Sequence, residues 1–183
     1  MKLSHTNNHD VQHQSADDFS SSIIWFKNNR SATETPPNGV GEESYPNLRR
    51  DALQQREQAP HGTCPYDLDV LFQVCGDVLT RTFNRRMYDE FRHIAVEDAE
   101  TRGTMVGMHN LIKFYDAAIR SHKPLADEIA LDYINLVQNE AGKIETPAFD
   151  KLRATHRDGS WYLKNRLKVE KFIDPKLKTD LDS

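Results

Sequence analysis

Residues Arg157, Trp161, Tyr162, Lys164, Arg166 and Lys168 interleave basic and aromatic side chains over one short stretch. That combination suits single-stranded nucleic acid, because rings stack on bases while cationic groups follow the phosphates. The same stretch also fits a plain structural role, with Trp161 anchoring a terminal helix and the charges in water. Both readings stay open. His109 and Lys113 stand four residues apart, on one face of any helix, and together can receive a phosphate. A surface histidine beside a solvated lysine is the simpler alternative. Arg102 precedes Gly103 at a break between elements. Arg85 and Arg86 lie beside Asp89 and Glu90, which favours solvent exposure over phosphate contact.

Other chemistries find less support. His5, His9 and His13 recur every four residues in a polar segment, and a flexible tail explains them better than a metal face. Cys64 and Cys75 lack the His or Cys companions of a zinc site. Cys75 falls in an apolar helical pattern and reads as a core thiol. Glu97 and Asp98 are neighbours, so on a helix they point about 100° apart and do not converge. The chain contains no glycine-rich phosphate loop and no nucleophile elbow. No catalytic residue, cofactor or metal is expected, and the protein is not read as an enzyme.

The 183 residues favour one domain with room for tails. The net charge of −4 and pI near 6.1 argue against a protein that coats a duplex. The charge is uneven. Residues 151–183 hold nine Lys/Arg against five Asp/Glu, net +4, which leaves the remainder at −8. A polyanion therefore meets a local C-terminal patch. No apolar signal core or membrane-length run is visible, so a soluble, cytoplasmic protein without a membrane partner is expected.

The elements that must position these residues are helical. Residues 1–44 read as a largely disordered N-terminal tail. An apolar cluster at 19–30 reads either as a short helix docking on the domain or as a linear motif for a partner. From Tyr45 onward the pattern changes. Leu68, Leu71, Phe72, Cys75, Leu79 and Phe83 recur at threes and fours, one apolar face of a helix. Asn84 can cap the next helix, with Met87, Tyr88, Phe91, Ile94, Ala95 and Val96 turned inward. Residues 105–120 repeat the pattern, Pro124 opens a further helix, and shorter helices are expected near 147–156, near 160–172 and after Pro175. The fold class is all-α. Segments 68–83 with 84–101, and 106–120 with 124–139, have the size of helix-turn-helix repeats that stack on one another.

The stretch DVLFQVCGDVLTRTFNRRMYDEFRHIAVEDA, with Phe83 through Arg92 at its centre, resembles the C-terminal DM15 region of La-related protein 1. FDKLRATHRDGSWYLKNRLKVEKFIDPKLKTDL, with its Ile173-Asp174-Pro175-Lys176-Leu177 ending, adds to it. The likeness runs from about Tyr45 to Leu181 and is greatest to the fungal-type branch. It implies a DM15-like domain over 45–183 built of HEAT-like stacked repeats. It also implies single-stranded RNA as partner, mRNA 5′ ends among its targets, a link to translation-related proteins, and a role in translation regulation or mRNA stability. The stretch corresponds to the C-terminal module alone, since no La motif or RRM-like sequence is visible.

In animal members the region binds the 7-methylguanosine cap between two tyrosines, one in a Tyr-Gly-Leu-Glu segment of the middle repeat and one in the last repeat. A flat cationic base is held by stacking and cation–π attraction. Here Val106-Gly107-Met108-His109 stands in the middle segment, so Val106 replaces a ring and His109 a carboxylate. Trp161 to Asn165 is expected to correspond to the last-repeat segment, with Tyr162 as the second ring. Arg102-Gly103 falls at the junction where animal members place part of the pocket, so the resemblance makes Arg102 a candidate for contact with RNA. One side of the sandwich is missing, and cap recognition is expected to be weakened or absent. The alternative reading is a protein-interaction scaffold whose helical groove binds no RNA.

Overall fold

The computed structural model describes residues 24–27 and 41–183. The chain divides into two compact units, residues 1–51 and 52–183.

In the first unit, strands β1 (Ile24–Lys27) and β2 (Gly41–Ser44) pair antiparallel, with Ile24 opposite Ser44 and Lys27 opposite Gly41. The short helix expected at 19–30 is therefore not formed over 24–27. β-branched and aromatic side chains, as in Ile-Trp-Phe, favour extended backbone once a partner strand is present. The rest of 19–30, most of the expected disordered tail, and His5, His9 and His13 lie outside the described residues. Helix α1 (Tyr45–Gln58) begins in the first unit and ends in the second.

The second unit continues with seven further helices: α2 (Tyr66–Arg81), α3 (Arg85–Glu97), α4 (Val106–Arg120), α5 (Asp127–Asn139), α6 (Pro147–Asp158), α7 (Leu163–Glu170) and α8 (Pro175–Asp182). The apolar periodicity places them well. Leu68, Leu71, Phe72, Cys75 and Leu79 of α2 are all buried. Asp67 and Asp69 sit in its first turn, where a negative charge suits the helix dipole. Asn84 caps α3 as expected, its side chain accepting from the Met87 N–H at 2.9 Å. Phe83 departs from the expectation and is 45% exposed. The helix ends at Arg81 and the backbone turns extended at Thr82, so the 3.6-residue period no longer carries Phe83 to the inner face. Pro124 does not open α5, which starts three residues later at Asp127. The Leu125 N–H is instead held by the Asn165 side chain at 3.0 Å, which keeps this segment out of the helix.

The helices stack in two layers. In one, α2 packs on α4, α4 on α6 and α6 on α8. In the other, α5 packs on α7, and α3 is tied to α5 by Arg85–Glu128 and Arg92–Asp132 ion pairs. The hairpins α2/α3, α4/α5 and α6/α7 are thus three successive units of one stack. Their shared core holds Tyr88, Tyr115 and Tyr133. The Tyr115 and Tyr133 rings stack at 4.9 Å, the hydroxyls of Tyr88 and Tyr115 lie 2.9 Å apart, and the Tyr88 hydroxyl donates to Asp132 at 2.7 Å. Gly107 marks the closest approach of the first two hairpins. A Cβ there would lie 2.7 Å from Phe72 Cζ and 2.9 Å from Ala95 Cα.

Candidate nucleic-acid interface

Repeat geometry fixes what each candidate can reach. The first two hairpins join through a π-helical turn, Asp98–Arg102, that ends on Gly103 in the left-handed region at φ 69°. The next junction lacks a π-helical turn but shares the left-handed glycine, Gly142 at φ 82° ahead of α6. The head of α4, at Met105–Val106, is therefore matched by the head of α6, at Thr146–Pro147. Trp161 and Tyr162 open α7, the second helix of its hairpin, and so match Asn84 and Ala126 instead.

This changes the expected pairing of rings. Tyr162 sits at the far end of α4: its N–H donates to the Ile119 carbonyl at 3.3 Å and its ring meets His122 edge-on at 5.0 Å. Val106 lies thirteen residues before Ile119, about 20 Å along the helix. The positions of Val106 and Tyr162 cannot flank one base, whichever side chains they carry. Between the heads of α4 and α6 runs a groove of about 360 Å³. Arg92 and Lys143 line it against Glu100, Asp132, Glu140 and Glu145, and its aromatic contribution among the described residues is the buried Tyr115. Among the described residues, the groove is lined by more carboxylates than cations and by no pair of facing rings.

The basic candidates fall into two classes. Some are committed to the fold. Both terminal nitrogens of Arg102 donate to the Arg56 carbonyl, at 2.9 and 2.7 Å, closing the end of α1. Arg56 in turn donates to Asp98 at 2.8 Å and Glu97 at 2.8 Å. Burial works against the Arg56 charge, yet these two carboxylates outweigh it and hold the guanidinium protonated. Lys168 donates to the Leu125 carbonyl at 2.6 Å and meets Asp127 at 3.0 Å, which draws the Asp127 carboxyl below its usual range. Arg166 pairs with Glu170 at 2.7 Å, one turn along α7. Trp161 is buried, edge-on to His156. Others are available. His109, Lys113, Arg157 and Lys164 are exposed, with no side-chain hydrogen bond or ion pair among the described residues. His109 lies near the head of α4 and Lys113 at its middle, whereas Arg157 and Lys164 lie beyond its far end, so the structure does not gather all four into one patch.

Sequence reasoning passed over Asn165 and Arg153. Asn165 is fully buried and donates to the carbonyls of Ser121 at 2.8 Å and Lys123 at 2.9 Å, seating α7 on the α4–α5 loop. Arg153 projects from α6 beside a cleft of about 650 Å³ bounded by α5, α6 and α8. The visible signal was the spacing of Phe149 and Arg153, an aromatic and a cation one turn apart on a helix. Among the described residues no cluster of His, Cys, Asp and Glu is arranged to hold a metal, and no helix is long and apolar enough to cross a membrane.

The model of the LARP1 HEAT repeat region matches residues 31–181. The chain belongs to that family. The LARP1 HEAT repeat is an all-helical stack, in agreement with the three hairpins, and the DM15-type resemblance read from residues 69–99 and 149–181 is the same relationship. No curated protein matches the chain.

Proposed function

We propose that this LARP1 HEAT repeat module binds single-stranded RNA, in the service of translation regulation or mRNA stability in the cytoplasm, and does so without a ring sandwich for the cap. The family match over residues 31–181 carries the RNA reading. The surplus of positive charge in residues 151–183 and the exposed Arg157 and Lys164 support it. The loss of cap selection is supported by Val106 at the head of α4 and Thr146–Pro147 at the head of α6, neither of which offers a ring. The module acts by binding and not by catalysis.

The test compares capped with uncapped pyrimidine-rich RNA by fluorescence anisotropy at several salt concentrations. Binding should weaken as salt rises, because phosphate contacts release counterions. Capped and uncapped affinities should agree within a factor of about three, under 1 kcal/mol. Absence of binding to both RNAs in low salt overturns the RNA reading. A large preference for capped RNA overturns the statement about the cap.

A protein-interaction scaffold is the second reading, and one observation favours it. Leu163 and Leu167, one turn apart on α7, are 66% and 55% exposed. A partner bound there would lose affinity on Leu163→Ser and show little salt dependence.

A further inference from the structure

The cleft beside α6 holds an arginine in a different state from Arg56, Arg102 and Arg120. Arg153 makes no hydrogen bond or ion pair among the described residues, and its Nε is buried without a partner. What it touches is an aromatic ring: the guanidinium carbon lies 5.8 Å from the centroid of Phe149. A half-buried guanidinium left unpaired is costly, whereas Arg56, Arg102 and Arg120 are each answered by carboxylates or carbonyls.

Three carboxylates also line the cleft, but two are already used. Glu140 accepts from the N–H groups of Ala148 at 3.0 Å and Phe149 at 2.9 Å, capping α6. Asp174 accepts from the Leu177 N–H at 2.7 Å, capping α8, and from Gln138 at 3.0 Å. Asp180 has no side-chain partner among the described residues, and neither has Lys176. The cleft therefore presents two cations without a hydrogen-bond partner, the Phe149 ring that Arg153 overlies, and one uncommitted acceptor.

We propose that this cleft seats one nucleotide of a single-stranded RNA, with the base against Phe149, its phosphate at Arg153 and Lys176, and an exocyclic amino group directed at Asp180. The proposal rests on the RNA-binding reading above. Phosphate and amino group answer Arg153, Lys176 and Asp180, which the fold leaves unpaired, and the base shares the Phe149 ring that Arg153 overlies. A bare polyanion would leave the ring unused and meet the charge of Asp180. An apolar ligand would strip water from a guanidinium that has no partner. A nucleotide meets all four groups, and a base bearing an amino group, such as cytosine, is favoured over uracil.

The experiment measures binding of a cytosine-rich and a uracil-only RNA to the full chain at several salt concentrations. Phe149→Ala should weaken binding roughly fivefold to a hundredfold, the worth of one stacked base, with the salt slope unchanged. Arg153→Ala should lower that slope by about 0.7, one phosphate contact on a single strand, while Arg153→Lys preserves it. Asp180→Ala should narrow the preference for cytosine. If the unaltered chain binds RNA and both Phe149→Ala and Arg153→Ala bind with its affinity and slope, the cleft proposal falls and the module reading stands. If the unaltered chain binds no RNA in low salt, the module reading falls and the cleft loses its ligand. Should a variant lose helicity, titration of the unaltered chain with cytidine 5′-monophosphate reads the same site by NMR. Amide shifts confined to the Phe149–Arg153 turn and the Lys176–Asp180 turn support the proposal, and their absence overturns it.

Discussion

The junction around Arg102 and the cleft around Arg153 hold similar residues in opposite states. At the junction, Arg102 lies on the Arg56 carbonyl and Arg56 lies on Glu97 and Asp98. In the cleft, Arg153 and Lys176 find no such answer, and a space of about 650 Å³ lies in front of them. The first arrangement ties the end of α1 to the turn that joins the first two hairpins. The second leaves binding capacity unspent. A basic side chain near a break in the pattern is therefore weak information about ligands until its partners are known. An unpaired guanidinium is stronger information, because a fold seldom leaves one half-buried without a use.

The largest expected effect tests whether the junction is structural. Arg56→Met removes the closest partner of Asp98, whose side chain is 1% exposed. Removing one member of a buried pair costs about 3–5 kcal/mol, since the other charge stays buried. Arg102, 3.9 Å from Asp98, gives partial relief, so a loss near 3 kcal/mol in urea unfolding is expected. A loss below about 1 kcal/mol, the range of exposed pairs, would remove the contrast with the cleft. Gly107→Ala comes next. The added methyl meets Phe72 Cζ at 2.7 Å and the Ala95 Cα at 2.9 Å, and Ala95 is backbone that cannot step aside. Overpacking of this kind costs roughly 1–3 kcal/mol. Unchanged stability would show that the first two hairpins separate easily.

The tyrosine core beneath the first two hairpins makes their stability sensitive to alkali. Burial raises the hydroxyls of Tyr88 and Tyr133 well above their usual range and pushes Tyr115 up to about 12. Each is neutral in both states below about pH 10, the unfolded value. Above that, the unfolded chain ionises first, so the stabilisation is present below pH 10 and is lost as the pH rises toward the folded values. Each tyrosine contributes about 1.4 kcal/mol of loss per pH unit in that window. Tyr88→Phe should flatten the fall in urea midpoint between about pH 10 and 11 by one such increment. An unaltered slope would mean that Tyr88 ionises alike in both states.

Much of the helical stack was legible, because burial on a helix imposes a period. Leu68, Leu71, Phe72, Cys75 and Leu79 announce α2, and Asn84 announces the start of α3. The site was less legible, because its meaning lies in contacts between distant residues. Arg102 reaches a carbonyl 46 positions earlier, and no local pattern distinguishes that role from a phosphate contact. Tyr162 has the right type for a stacking ring, yet Ile119 and His122 hold it at the wrong end of α4. The order of the helices decides this, and it follows from hairpin pairing: α6 takes the place of α4 in the next unit, so the position equivalent to Val106 falls at Thr146–Pro147 and not in the Trp161–Tyr162 pair.

The smallest effect sharpens the contrast most. Arg102→Ala deletes two charge-assisted bonds to the Arg56 carbonyl, and a loss of about 1.5 kcal/mol is expected. Arg153→Ala deletes no hydrogen bond, so its stability should stay within about 0.5 kcal/mol of the unaltered chain. Removing an unsatisfied buried Nε offsets the lost contact with Phe149, so even slight stabilisation is consistent. The RNA readout should run the other way, with Arg102→Ala keeping the salt slope and Arg153→Ala lowering it. Equal losses of stability in the two variants would place Arg153 among the structural arginines, and the distinction between a spent and an unspent guanidinium would go with it.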